Sequence, residues 1–573
     1  MTTILPGDDL LKRLDIQSRE ALARELCQAI DDMEAIYKPY FDDMTIWWRN
    51  YEGVPRTPGQ KNFPFKNSSN IIVPLIQIMS DAQTNRIYGD IHGHGKRIWS
   101  ARTENEGQVK QVKNVARHIN WAANGNHFDM PLVSYEWINE ADVIGSSVVA
   151  LNWHEDIRWV YQTGGRGKLN KAVPIVFRKG VLVENIPREH ILWDTAFLIQ
   201  DAPMVVREFD HTWSKLNEMA LSDREKTWDS KAIEDIRGKG EIRFRPSYQV
   251  TQEKAEHDSK NSGNFMDMGM HHDIREVHVN WPLLNSMGFD DSQIATPGKE
   301  NMRVPSPPIV ATLDKTSCKL LRLIAEPYNI PYKPFFDIYY RKRTGRGHSV
   351  GIAKKIEGMQ MAMTTSLNQA LDARTRSNAI WATTNRRDFL DKPIDPAHPI
   401  YRPTEGSFEP FNIGTSTFDD MRLMTAVQVI AERLTGQSDP ALGRETRQGG
   451  HPSPATSTLA LLEQSNLMSG TTKELIRLQY SRLGEAVAAL YQQYDTNSDG
   501  YLQRTFGDLD AQDIEDYLFP KDPISGNIEF DLIAYSQNFN PESEMKKAVL
   551  ISQMNTTYWA FMGQVVQTMA QLS

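Results

Sequence analysis

The order in which the hydrophobic period changes along this chain limits its fold more than any other feature. Apolar residues recur at steps of three and four in residues 18–38, where Leu22, Leu26, Ile30, Met33 and Tyr37 share one face, and helical patterning continues from Asn70 and through 105–124 and 130–144. The period then falls to two in "SSVVALNW", "PIVFRKGVLVEN" and "PMVVREFD". From Gly351 onward it returns to the helical value. Such a pattern describes a helical layer waiting for a sheet, so the fold class is α+β and predominantly helical.

Punctuating residues set the expected boundaries. Pro39 is placed to end the first helix, Asn70 to cap the second and Pro74 to sit in its first turn, with Ile71, Leu75, Met79 and Ala82 as its stripe. Lys179-Gly180 reads as the turn of a hairpin. Helices are expected near 212–222 and 226–237, followed by a β-rich inserted module over 241–341 with "EIRFRPS", "IREVHVNW", "PIVATLD", "KLLRLIA" and "FFDIYY" as strands. Residues 351–381 form a long helix through Ile352, Ile356, Met359, Met363, Leu367 and Leu371, and 418–434 form another. The stretch "GQSDPALGRETRQGGHPSPA", residues 436–455, is far longer than ordinary connections, and loops of that length are either disordered or functional. A helix over 456–494, a strand in "IEFDLIAYS" and a helix after Pro541 close the chain. No repeat of fixed period and no charge block interrupts it.

Length, 573 residues, is consistent with three or four domains. The opening "MTTILPGDDLLKRLD" has no basic region followed by an apolar core, and no run reaches the roughly 18 apolar residues a bilayer requires. The expectation is a protein made and used without entering a membrane. Cys27 and Cys318 are the only cysteines, which leaves no disulfide framework or cysteine zinc cage and fits a reducing compartment. A net charge of −9 argues against a broad nucleic-acid clamp but is compatible with a surface that lets DNA pass without gripping it.

Motifs of chemical interest are each incomplete. Residues 347–351, "GHSVG", match the nucleophile elbow, whose chemistry needs a serine raised above a sheet by a strand-to-helix turn. Ser349 would then attack an acyl carbon, with "HGHG" at 92–95 imitating an oxyanion loop and His398 or His451 as base. The preceding "RKRTGR" is not a buried strand, and a Gly-rich start to a helix explains the same residues. As "GRGHSVG" the stretch imitates a phosphate-binding turn, but without the βα unit or the acidic residue such a site uses. "GGRGKL" at 164–169 is no Walker loop, because Leu169 follows Lys168. "DTNSDGYL" puts Asp495, Asn497 and Asp499 at the first, third and fifth positions of a calcium loop, yet Phe506 stands where a bidentate glutamate belongs. An Asx-rich turn accounts for it as well. "MDMGMHHD" at 266–273, with His278, has metal-ligand residue types without ligand spacing and reads as a flexible loop tip. No catalytic residue, cofactor or metal site is assigned, and the chain is read as a non-enzyme.

Several pieces, in their order, resemble the portal proteins of tailed bacteriophages. "PFKNSSNIIVPLIQIMSDAQTNRI" is similar to the family's aromatic/Pro segment, Ser-Asn and aliphatic run into a helix. "VENIPREHILWDTAFLIQDAPMVVREFDHTWSKL" resembles its strand, Pro-to-Asp turn and Asp-Ala segment leading to a strand. A third resemblance is the β-module "REVHVNW…PPIVATLDKTSCKLLRLIAEPYNIPYKPFFDIYY" followed by "RKRTGRGHSVG" and a Gln/Asn-bearing long helix. The fourth is the helix, loop and helix after residue 416. Together they cover most of residues 60–480.

The resemblance implies a ring, usually of twelve subunits, at a unique vertex of a viral head, through which double-stranded DNA enters during packaging and leaves during ejection. It implies a wing over 1–205, a first stem helix within 206–240, an α/β clip over 241–347, a second stem helix over 348–381, a wing return with tunnel helix and tunnel loop over 382–456, and a helical crown over 457–573. Implied partners are the terminase large subunit, a head-tail adaptor, and the major capsid and scaffolding proteins, in a particle assembled in the host cytoplasm. A conduit needs weak contacts to phosphate that carry no sequence information. Arg444, Arg447 and His451 in the tunnel loop suit that role, and Arg341, Lys342, Arg343, Arg346, Lys354 and Lys355 would form a second basic ring near the stem. The alternatives are an acyl hydrolase using Ser349 and another ring-forming virion structural protein.

Overall fold

A computed structural model describes residues 7–55, 68–92, 97–103, 109–162, 171–222, 226–239, 241–242, 270–280, 308–343, 349–378, 382–383, 400–401, 417–436, 447–448, 451–452, 455–495, 500–518 and 529–532. Helices in chain order are α1 (Ile16–Tyr51), α2 (Leu75–His92), α3 (Val109–Ala123), α4 (Met130–Ile144), α5 (Trp213–Ser222), α6 (Ser230–Ile236), α7 (Ile352–Asn378), α8 (Thr417–Thr435), α9 (Ala455–Tyr494), α10 (Tyr501–Phe506) and α11 (Asp508–Leu518). The strands are β1 (Trp99–Arg102), β2 (Ser146–Gln162), β3 (Lys171–Ile186), β4 (Ile191–Trp193), β5 (Met204–Thr212), β6 (Glu241–Ile242), β7 (Met270–Val279), β8 (Ile309–Asp314), β9 (Leu320–Ala325), β10 (Phe335–Tyr339), β11 (Ala382–Thr383), β12 (Ile400–Tyr401), β13 (Arg447–Gln448), β14 (His451–Pro452) and β15 (Glu529–Leu532). The fold is mixed α and β, with helix prevailing.

Helix α1 does not end at Pro39 but continues to Tyr51. An interior proline costs a helix about 3 kcal/mol, and burial on both sides of it offsets that cost. Leu22, Leu26, Ile30 and Tyr37 pack with Val206, Val277, Ala311 and Leu323 of a sheet, whereas Met44, Trp47 and Tyr51 pack with Leu75, Met79, Ile352 and Ile356. Pro39 lies where the helix passes from one core to the other.

The larger sheet has the antiparallel order β4-β5-β7-β8-β9, with β6 also on β7. Its strands come from both sides of residue 241. The described strands of the expected inserted module are therefore not a separate unit: β7–β9 extend the sheet begun by β4 and β5, and β10 pairs with β2. The reason is the buried apolar run Met204, Val205 and Val206, whose strand needs a paired neighbour to satisfy its backbone. Residues 206–240, expected to carry a long stem helix, hold most of β5 and the short α5 and α6.

In the second sheet, β10-β2-β3, Lys179-Gly180 is not a turn but the middle of β3, opposite His154 and Glu155. Gly180 serves a close approach, since a Cβ there would stand 2.6 Å from the His127 Nδ1. The largest core lies between this sheet, α3, α4 and the second half of α9. Trp137 stacks on Tyr480 at 5.0 Å, and the Trp99 indole N–H donates to the Tyr480 carbonyl at 2.7 Å. Leu502, Ala511, Ile514 and Leu518 join it, so α10 and α11 share a core with the N-terminal helical layer.

Candidate nucleic-acid interface

The basic run after β10 is anchored at both feet. The Tyr340 amide donates to the Gly145 carbonyl at 3.0 Å, and the Gly351 amide to the Ile144 carbonyl at 3.1 Å, so both feet rest on the C-terminus of α4. The approach leaves no room for side chains: a Cβ on Gly351 would lie 2.2 Å from the Val143 carbonyl oxygen, and one on Gly145 2.6 Å from the Gly351 nitrogen. Ser349 is buried, and its hydroxyl accepts from the Arg341 amide at 3.0 Å while donating to the Arg341 carbonyl. Its position beside the start of α7 makes it a fastener of the loop. Of the two histidines considered as its base, His398 lies outside the described residues, and no hydrogen bond joins Ser349 to a histidine among those described.

Arg341, Lys342 and Arg343 are exposed at the end of β10, while Arg346 lies outside the described residues. Lys342 places its ammonium 4.9 Å above the Tyr339 ring. The two lysines in the first turn of α7 are partly committed. Lys354 stands 3.6 Å from Asp43 and 5.6 Å over Trp47, and Lys355 stands 4.4 Å over Tyr340. Burial, helped by the neighbouring Arg341 charge, pulls Lys355 down to about 8. Arg341, Lys342, Arg343 and the half-exposed Lys354 thus hold the accessible charge of this group, suited to phosphate contacts that fix position without reading bases.

Between α8 and α9 the long Gly/Pro segment contains a short antiparallel pair, with Arg447 opposite Pro452 and Gln448 opposite His451. Arg447 and His451 therefore sit on facing arms of one hairpin, and Arg444 lies outside the described residues. In the calcium-like stretch Asp495 is buried and accepts from the Tyr501 hydroxyl at 2.5 Å, while Asn497 and Asp499 lie outside the described residues. Among the described residues no group of three or more His, Cys, Asp or Glu side chains is placed to hold a metal ion, and no helix is long and apolar enough to cross a membrane.

The histidine-rich stretch is not a loop tip where it is described. Residues from Met270 onward form β7, in the middle of the larger sheet, and each buried histidine there faces a carboxylate: His271 with Asp210 at 2.9 Å, His272 with Asp314 at 3.6 Å, His278 with Glu326 at 2.7 Å. Arg275 on the same strand binds Asp31, Glu34 and Glu208 at 2.7–3.0 Å, tying α1 to the sheet. Polar composition suggested solvent, but a polar partner facing each of these side chains lets them be buried.

One arrangement was not anticipated from residue types. Gln360, Thr364, Asn368 and Asp372 stand at four-residue steps on α7 and accept hydrogen bonds from the amides of Ile76, Val73, Ile71 and Ser69 at 2.8, 3.2, 3.0 and 2.7 Å. Asn368 also donates to the Ile71 carbonyl at 2.9 Å, and Gln360 to the Asn50 carbonyl at 2.7 Å. The expected cap Asn70 thus lies in an extended run, and α2 begins only at Leu75. This polar ladder holds the segment that leads into α2 against the helix that follows the basic run. No known protein family and no curated protein matches the chain.

Proposed function

We propose that this chain is a portal-type subunit, forming a ring, by analogy of twelve copies, whose axial channel passes double-stranded DNA. The observation that carries the reading is the helix, hairpin and helix of α8, β13-β14 and α9, with Arg447 and His451 on the hairpin arms, together with a separate basic group between the end of β10 and the start of α7. Repeated around a ring, each group becomes a belt of positive charge on a subunit of net charge −9. Such belts hold phosphate loosely, and the acidic remainder discourages adhesion elsewhere. The reading places the chain at the portal vertex of a virion, with a separate terminase supplying ATP hydrolysis, an adaptor replacing it later, and capsid and scaffolding proteins around the ring.

Size-exclusion chromatography with multi-angle scattering is the first test. A species near twelve times 65.4 kDa supports the reading, and a strict monomer under assembly conditions counts against it. Replacing Arg444 and Arg447 by Ala is expected to leave the ring mass unchanged and lower the DNA retained. Unchanged DNA content would remove them from the contact surface.

A further inference from the structure

We propose that Cys27 and Cys318 are a site of reversible oxidation, closing to a disulfide within one chain when the protein meets a hydroperoxide. The inference is independent of the ring-forming reading and rests on where the fold puts the only two cysteines of the sequence. Cys27 lies on α1 and Cys318 in the turn between β8 and β9. Both belong to the core between α1 and the larger sheet, Cys27 buried within it and Cys318 packed against it and partly exposed.

Ion pairs beside the thiols hold the two elements together. Cys27, Asp31 and Glu34 follow at steps of four and three, so they share a face of α1. Arg275 on β7 stands 2.8 Å from Asp31 and 2.7 Å from Glu34, and Lys315, just after β8, stands 2.7 Å from Glu34. The turn itself is closed. The Asp314 amide donates to the Lys319 carbonyl at 3.0 Å, and the Asp314 carboxylate accepts from the Ser317 amide at 2.8 Å. Within it the Cys318 thiol donates to the Lys315 carbonyl at 3.9 Å. The Cys318 backbone has φ +49°, a left-handed conformation that is costly for a residue with a Cβ and persists where its surroundings impose it. The Cys27 thiol feels the Cys318 thiol more strongly than it feels Arg275 or Asp31.

Exposure divides the roles. A small oxidant reaches the partly exposed Cys318, whereas burial, with the Cys318 thiol beside it, pushes the Cys27 thiol up to about 12 and keeps it protonated. The Cys318 thiolate attacks one oxygen of the hydroperoxide. An S–O bond forms, the O–O bond breaks, and the departing oxygen takes up the proton that the thiol gave up. The Cys27 sulfur then attacks the sulfur of the Cys318 sulfenic acid. The S–S bond forms, the S–O bond breaks, and hydroxide leaves as water with the Cys27 proton. In all, two thiols lose two electrons and one hydroperoxide gains them. A dithiol reverses the link by exchange.

The test treats full-length, reduced protein with hydrogen peroxide, then alkylates free thiols in denaturant and reads intact and unreduced peptide masses. The untreated chain is expected to take up two alkyl groups, one per cysteine. The treated chain is expected to take up none and to yield a peptide joining Cys27 to Cys318, and dithiothreitol to restore both thiols. Because the link closes a long loop of the unfolded chain, circular-dichroism melts are expected to shift up on oxidation, and Cys318→Ser to lose that shift. Cys27→Ala, which keeps the exposed thiol, is expected to collect oxygen on Cys318. Treated wild type that carries oxygen on Cys318 while Cys27 still alkylates overturns the proposal. So does a chain that peroxide leaves unchanged, or a non-reducing denaturing band at twice 65.4 kDa in place of the link within one chain.

Discussion

Gly351 and Gly358 lie close together at the start of α7 and face opposite physical situations. A Cβ on Gly351 would meet main-chain atoms of α4, whereas one on Gly358 meets nothing within 4 Å. Gly351→Ala is expected to destabilise by about 1–3 kcal/mol through overpacking, and Gly358→Ala to stabilise by about 0.5–1 kcal/mol through the lost backbone freedom of the unfolded chain; chemical denaturation of both variants checks the opposite signs. Two buried ionisable groups set a pH dependence. Burial pushes Glu140 up to about 7 despite the Ser147 hydroxyl and Arg188 amide that bond it. Burial alone would lower His278, but Glu326 and Glu276 beside it hold it at about 9. Both groups bind protons more tightly folded than unfolded, so stability from Glu140 is full below about 4.5 and lost through 7, and from His278 full below about 6.5 and lost through 9. Burial holds His92, His118 and His190 below the usual imidazole range, so they act in the opposite sense below about 6.5. The expected outcome is a difference from wild type: Glu140→Gln removes a loss of melting temperature between about pH 4.5 and 7, and His278→Gln one between about 6.5 and 9. Equal slopes in wild type and variants would refute the assignment.

Among the elements, the polar ladder on α7 is open to the clearest trial. Asn368→Ala removes the acceptor for the Ile71 amide and the donor to its carbonyl, and a half-buried amide left unpaired costs about 1–3 kcal/mol. Asn368→Asp keeps the acceptor and is expected to lose less, which urea unfolding of the two variants would show. The apolar stripe of this helix was legible in sequence, and α4, α8 and α9 begin and end within a residue of where periodicity placed them. The polar stripe was not, because polar side chains on a helix usually face water and its partners lie near residue 70. Two misread boundaries share that cause: Pro39 and Lys179-Gly180 carry local stop signals that burial in two cores and the approach of His127 override. Of the candidate interface, the exposed Arg341, Lys342 and Arg343 could be read from composition, but the bonding of Ser349 to Arg341 depends on where α4 ends.

At the scale of the whole molecule, the proposed basic belts make a statement about salt. Replacing Arg341, Lys342 and Arg343 together by Ala is expected to leave assembly mass unchanged, weaken DNA binding and flatten its dependence on salt concentration, because fewer counterions are released; an unaltered salt slope would exclude the group from phosphate contact. The ladder between residues 69–76 and 360–372 joins parts of the chain far apart in sequence, and its spacing has a consequence of its own. Four helical residues advance about 6.0 Å, and two extended residues about 6.6–6.8 Å. Successive rungs at Ser69, Ile71 and Val73 drift by less than about 1 Å each, about 1.2–1.6 Å over the two steps, and the last rung, Ile76, comes three residues further on, inside α2. The pair therefore behaves as a vernier that matches over a few divisions, and the change from the run at 69–73 to helix α2 resets the scale so that the fourth division, Ile76, still meets Gln360. An inserted residue within either scale would misalign every division beyond it, while insertions in the long stretch between them leave the reading unchanged.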